Sequence, residues 1–220
     1  MKYPYIAYSD QVDIKPIFNQ LSGDPIVVDM SSTSDVFDNL DVRDQEKFQR
    51  RLDTMMAGKY FWGVSSYLEN REVVLSQCPQ MVEEQRFYHL GLDIIVQLGT
   101  PLHAPLASTV AHSGYEAGEG NYGGHVLLFH ESDAFEPFYS FYGHLNRDKL
   151  PEKGTKIDAG ERFAYIGDFH ENGNWFYHTH LQVLTQKAID QGYISKGYCA
   201  AKDLGTMDCL CPSPLSLFRV

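Results

Sequence analysis

Long apolar runs are missing from this sequence, and basic residues are scarce. No stretch of the 220 residues supplies the roughly 20 consecutive apolar positions that a membrane-spanning helix needs. The opening "MKYPYIAYSDQVDIKP" holds a lysine but no continuous apolar segment, because Asp10, Asp13 and the prolines interrupt it. It does not read as a signal peptide. A cytoplasmic protein is therefore expected, or a periplasmic or cell-envelope one if export takes another route or the chain is a piece of a longer one. Lys and Arg number 18 against 29 Asp and Glu, a net charge of −11. Nucleic acids and anionic membranes call for a basic face, so neither is expected as a main partner. Cysteine is sparse too. Cys78, Cys199, Cys209 and Cys211 make no dense disulfide framework, and the last two lack the CxxC spacing of a zinc knuckle. Reduced thiols without a role in a site are expected.

Aromatic residues are plentiful, with 14 Tyr and 13 Phe, and both favour strands. In "DVRDQEKFQRRLDTMMAGKY" the apolar positions Phe48, Leu52, Met55 and Met56 repeat at helical spacing, with Gly58 as a stop. From Phe87 onward the pattern becomes short apolar runs separated by Gly, Pro and Asn. "LDIIVQL", "STVAHS", "HVLLFH", "FYSFYGHL", "RFAYIGDF" and "HTHLQVLT" read as strands. The expected organisation is an N-terminal extension with one amphipathic helix over 1–80, a mainly β domain over 81–190, and a C-terminal tail over 191–220 packing on it. Gly118, Gly120 and Gly123 satisfy GxGxxG, but they lead into a strand rather than a helix, which excludes a dinucleotide-binding turn.

The chemistry lies in the histidines. One histidine in a strand is ordinarily a hydrogen-bonded structural residue, so only combinations count. "HLGLD" sets His89 four residues before Asp93, and "HTHLQV" puts His178 and His180 on one face of a strand. A catalytic zinc takes three N or O ligands and keeps a fourth position open. His89, Asp93 and one histidine of the pair would supply that set. Both members of the pair could ligate, or one could ligate while the other faces the reacting water. His144, at a strand end in "SFYGHLN", adds an imidazole suited to proton transfer.

From about Phe87 to Leu184 the sequence resembles the zinc metallopeptidase family M23, of lysostaphin and LytM type. "HLGLDIIVQLGTPLHAPLASTV", "YGGHVLLFHE", "FYSFYGHL", "KGTKIDAGERFAYIGD" and "HTHLQV" follow the order of that family's blocks. The resemblance implies an antiparallel β-sandwich or barrel-sandwich hybrid with its site in a groove between sheets. It implies zinc held by His89, Asp93 and His180, with His144 and His178 as unliganded catalytic histidines. The implied activity is hydrolysis of an amide bond in a peptidoglycan-type cross-link peptide. Leu181 and Gln182 replace an aromatic–acidic pair of the family, so a carboxylate is missing there. His103, His112, His125, His130 and His170 are expected to be structural. "SYLENREVVL", "ENGNWFYHTHLQV" and "LCPSP" are further similar to M23-like segments fused to some class III aminotransferases, which leaves a cytosolic hydrolase of small peptides or amides as an alternative. A non-catalytic binding or regulatory domain is another, opposed by the complete ligand set. A lipoyl-type carrier lacks a lysine in the required turn. The N-terminal extension is expected to cap the sheet or cover part of the groove, where a carbonyl or amide oxygen could take the fourth metal position and hold the enzyme latent. Nothing in the sequence speaks to oligomeric state.

Overall fold

A computed structural model describes residues 12–220, so the reading of the first eleven residues, Asp10 among them, lies outside the described residues. In chain order the strands are β1 (Ile26–Val27), β2 (Gly63–Ser65), β3 (Arg86–His89), β4 (Leu92–Ile95), β5 (Pro101–His103), β6 (Ser108–Glu116), β7 (Gly123–Ser132), β8 (Phe135–Leu145), β9 (Lys156–Ile157), β10 (Arg162–Tyr165), β11 (His178–Leu184) and β12 (Tyr198–Ala200). Eight of them form one sheet in the order β1-β2-β4-β11-β8-β7-β6-β9. Its pairs are antiparallel except β1 with β2 at one edge. Two smaller antiparallel sheets, β5 with β10 and β3 with β12, lie beside it. The protein is mainly β, as expected, and every strand read from the sequence is present.

All seven residues of β11 are buried, because both faces of the sheet are covered. Leu181 and Val183 enter a core with Leu92, Ile94, Val126, Leu128 and Tyr142. The opposite face carries His178, His180, Gln182 and Leu184, since alternate residues share a face. Leu184 packs there with Leu90, Phe141, Met207 and Cys211. A strand buried on both faces ordinarily reads as a continuous apolar run. Here imidazoles and an amide interrupt it, and each buried polar atom needs a partner. That requirement builds the site.

The N-terminal residues are woven into the same structure. Helix α1 (Gln45–Met56) starts where the Asp44 side chain accepts from the Lys47 N–H, and ends before Gly58, whose φ is 72°. Phe48 and Leu52, four residues apart, pack against Val28, Met30, Ile95 and Phe176. Leu52 is wholly buried, so Leu52→Ala would cost about 2–5 kcal/mol. Strand β2 sits against β4 with Ser65 opposite Asp93. At the other end of the chain, β12 pairs with β3, placing Tyr198 opposite His89. Residues 12–80 and 191–220 therefore share sheets and cores with the central segment.

Candidate metal centre

Register brings the ligand candidates together. In the β4–β11 ladder His180 stands directly opposite Asp93, and directly opposed side chains share a face. His89 ends β3 and reaches the same point after the short turn through Leu90 and Gly91. A Cβ on Gly91 would lie 2.7 Å from Nε2 and 2.8 Å from Nδ1 of His180. Only a residue without a side chain lets the turn pass that ring.

Three atoms converge. His89 Nε2 lies 2.9 Å from His180 Nδ1 and 3.1 Å from Asp93 Oδ1, and His180 Nδ1 lies 3.2 Å from that same oxygen. The tautomers follow from the partners on the far side of each ring. His89 Nδ1 is 2.9 Å from the carbonyl oxygen of Ser66, which only accepts, so Nδ1 carries the proton. Gln182 directs its Nε2 to the Lys196 carbonyl and its Oε1 to His180 Nε2 at 2.9 Å, so that ring nitrogen is the donor. Two imidazole lone pairs and a carboxylate oxygen are left facing one another. A proton or a cation must sit among them, and this donor set suits zinc, whose ligand atoms at about 2.0–2.2 Å stand roughly 3.3–3.6 Å apart. The observed spacings are within a few tenths of that. His89, Asp93 and His180 fit a metal ion.

Electrostatics keeps these groups in ligand form. Burial, reinforced by the neighbouring Arg71 cation, pushes His89 down to about 3, so it is a neutral imidazole near pH 7. Burial alone would raise Asp93. The groups opposing it are led by His89 and Arg71, and of these Arg71 carries the permanent charge, holding the carboxyl well below its usual range. Arg71 Nη1 donates to Asp93 Oδ2 at 2.6 Å, Nη2 to Ser65 Oγ at 2.6 Å and Nε to Glu69 at 2.9 Å. The Ser65 hydroxyl donates to Asp93 Oδ2 as well, at 3.1 Å.

His144 and His178 complete the constellation, with ring centroids 4.2 Å apart. His178 Nδ1 donates to the Phe176 carbonyl at 2.8 Å, leaving Nε2 3.8 Å from Asp93 Oδ1. His144 Nδ1 donates to the Asn172 carbonyl at 2.7 Å, leaving its Nε2 as an acceptor. Burial lowers both, His178 to about 4 and His144 well below the ordinary histidine value. His144 has a φ of 65°, a strained conformation for a non-glycine residue, held by its N–H on the Tyr122 carbonyl and its carbonyl on the Gly167 N–H. Phe176 stacks on His178 at 4.1 Å and touches Phe48 of α1 at 5.0 Å, so the helix supports the catalytic candidate from behind.

All five residues singled out in the sequence meet at this point, and Asp93, His144, His178 and His180 line a cleft of about 120 Å³. His103, His112, His125, His130 and His170 lie outside the ligand cluster. Sequence reasoning did not find Ser65, Ser66, Glu69 or Arg71, which orient the ligands from the N-terminal extension. The extension reaches the ligands' outer atoms. It also did not find the part played by Gln182. The carboxylate missing from the strand is replaced by an amide oxygen on His180.

Residues 87–191 match the family model described as Peptidase family M23. An uncharacterized metalloprotease of Haemophilus influenzae is 33% identical over 97 residues, covering 39% of this chain and 19% of that protein. A lipoprotein NlpD/LppB homolog of Pseudomonas aeruginosa is 36% identical over 77 residues, covering 35% of this chain and 24% of that one. The match spans about a fifth to a quarter of the length of these relatives. Among solved structures, the catalytic domain of lysostaphin from Staphylococcus simulans aligns over 54% of this chain and 79% of that chain, at 20% identity and a TM-score of 0.40.

Proposed function

From residues 87–191 being a peptidase family M23 domain, we infer that the protein is a zinc-dependent metallopeptidase hydrolysing an amide bond in a peptidoglycan-type cross-link peptide. The observation that carries this reading is the convergence of the His89, Asp93 and His180 donor atoms, 2.9–3.2 Å apart, beside two further neutral histidines. A zinc ion held there would supply a Lewis acid for the scissile carbonyl and lower the pKa of water towards neutrality.

The chain's own residues do the rest. His178 and His144 each donate Nδ1–H to a backbone carbonyl, which fixes the tautomer and presents Nε2 as a base towards the cleft. One of them accepts the proton of the attacking water, and an imidazolium so formed returns it to the departing amine. Burial disfavours the charged form of both rings, so an imidazolium formed there is a stronger acid than a free one, which favours onward proton transfer. Arg71 keeps Asp93 ionised throughout.

Mass spectrometry of peptidoglycan incubated with zinc-loaded protein tests the reading, with His144→Ala as the paired control and metal analysis of both. New amine and carboxyl ends made by the wild type alone support it. Intact cross-links with zinc bound would overturn the substrate assignment. Failure to bind zinc would overturn the mechanism.

A further inference from the structure

We propose that Arg86 and Tyr122 form an anion subsite in the same cleft, which takes a substrate carboxylate lying close to the scissile amide. The proposal rests on the peptidase reading above and narrows its substrate to peptides carrying such a group.

Arg86 opens β3, three residues before His89. Its side chain is only 11% exposed, with Glu84 Oε2 2.7 Å from Nε. That contact lies off the N–H direction, and both Nε and Nη1 are buried with no hydrogen-bond partner. Tyr122, 8% exposed, has a buried Oη in the same condition. A Cβ on Gly197 would come within 2.9 Å of that oxygen. Arg86, Tyr122 and Gly197 line the same cleft as Asp93, His144 and His178.

Buried N–H and O–H groups in folded proteins are almost always paired, so orphans need an account. Arg71, which lines the cleft too, is not in this condition: each of its three nitrogens has a partner, in Asp93, Ser65 and Glu69. Arg86 differs. An ion pair with a half-exposed Glu84 contributes little and leaves Nη1 bare. A guanidinium fork matches a carboxylate in shape and charge, and the phenol adds a third donor. A tyrosine phenol is protonated near neutral pH and so able to donate. The sign and size of the guest follow from the walls. Glu116 lines the same cleft and Glu84 flanks Arg86, which disfavours a multiply charged group such as phosphate and suits one negative charge. For a peptide that charge is a C-terminal carboxylate or an acidic side chain.

The test uses the zinc-loaded full chain and two matched pairs of peptides. N-acetyl-triglycine is compared with its C-terminal amide, and N-acetyl-Gly-Gly-Glu amide with its Gln counterpart. The acid of one pair is expected to exceed its neutral partner about 10- to 100-fold in kcat/KM, the range for a hydrogen-bonded charge in a partly dry site; which pair responds identifies the source of the carboxylate. Arg86→Gln should abolish that preference, and Tyr122→Phe should reduce it while keeping the ring. Calorimetric binding of N-acetylglycine against N-acetylglycinamide, wild type beside Arg86→Gln, reads the subsite without turnover. Any direct attraction of the acid to the metal is common to both proteins and cancels. Arg86-dependent preference for the acid without hydrolysis of any peptide would keep the subsite and sink the peptidase reading. Equal binding and equal turnover of acid and neutral partners by the wild type would overturn the proposal, whatever the variants do.

Discussion

Replacing Arg71 with methionine removes a permanent charge from between two buried carboxylates. Arg71, Asp93 and Glu69 have side chains 3%, 2% and 7% exposed, so water does not make up the loss. Glu69 has a way out. Burial already raises its pKa, and once Arg71 is gone it can protonate while still accepting from the Met30 N–H at 2.9 Å. Asp93 has the Ser65 hydroxyl and the histidine cluster, but no cation in the metal-free protein. Breaking a buried pair from one side costs about 3–5 kcal/mol. At roughly 2–4 °C per kcal/mol for a chain of this size, Tm in chelator should fall by about 10 °C. Zinc should narrow the gap, because an ion on Asp93 replaces the missing charge and binding to the folded state adds stability. Thermal unfolding of wild type and Arg71→Met, with EDTA and with zinc, reads both effects. A variant melting within about 2 °C of wild type in EDTA would refute the reasoning, since a loss this small implies less than ~1 kcal/mol. So would a gap that zinc leaves unchanged.

Other expectations follow from the same geometry. His144→Ala should retain zinc and lose turnover by about 10²–10⁴, the usual contribution of a positioned acid–base group; activity within a few-fold of wild type would remove His144 from the mechanism. Gly91→Ala should lose zinc by metal analysis, because the added methyl group occupies the space of the His180 ring, and full occupancy would show that the turn can yield. His130 is a clean pH probe remote from the ligands, with Nδ1 on the Ala107 carbonyl and Nε2 2.7 Å from the Ser140 hydroxyl. Burial lowers it from 6.5 to about 4, so the unfolded chain binds this proton first. Its contribution is complete above pH 6.5 and is lost as pH falls towards 4, amounting to about 3 kcal/mol. Denaturant unfolding at pH 7 and pH 4.5 should show a shallower acid loss in His130→Gln than in wild type, and parallel losses would contradict the assignment.

What was legible in the sequence divides along a physical line. Imidazoles and a carboxylate inside apolar strands are chemically conspicuous, and period-2 spacing is enough to put His178 and His180 on one face. The strands themselves were legible where they ran for several alternating residues, as in β7, β8 and β11. Strands β1 and β2, two and three residues long, have no period to detect; they exist because β4 offers an edge to β2, and β2 in turn offers one to β1. Arg71 sits in the polar run "LENRE", which reads as solvated surface, and its burial depends on partners 2 and 22 residues away. Gln182 looked like the loss of an acid. Only the structure reveals an amide oxygen holding His180 in the ligating tautomer.

The least legible contributions come from backbone carbonyls, which every residue has. Ser66, Phe176 and Asn172 each accept a hydrogen bond from a site histidine through the main chain, so their side chains carry no mark of the role. What can be mutated is whatever holds that backbone in place. Asn172 is fully buried; its Oδ1 accepts from the Trp175 N–H at 2.9 Å and its Nδ2 donates to the Trp175 carbonyl at 3.0 Å. It ties together the loop whose carbonyls orient His144 and His178, and its side-chain hydrogen bonds go to the backbone of Gly167, Trp175 and Phe176. Asn172→Ala should therefore leave zinc bound and substrate affinity nearly intact while turnover falls about 10- to 100-fold, the range seen when an orienting partner is removed. Loss of zinc together with activity would mean that the loop supports the whole centre. Unchanged kcat would mean that the two histidines are oriented by packing against Phe176 and each other, with the carbonyls as bystanders.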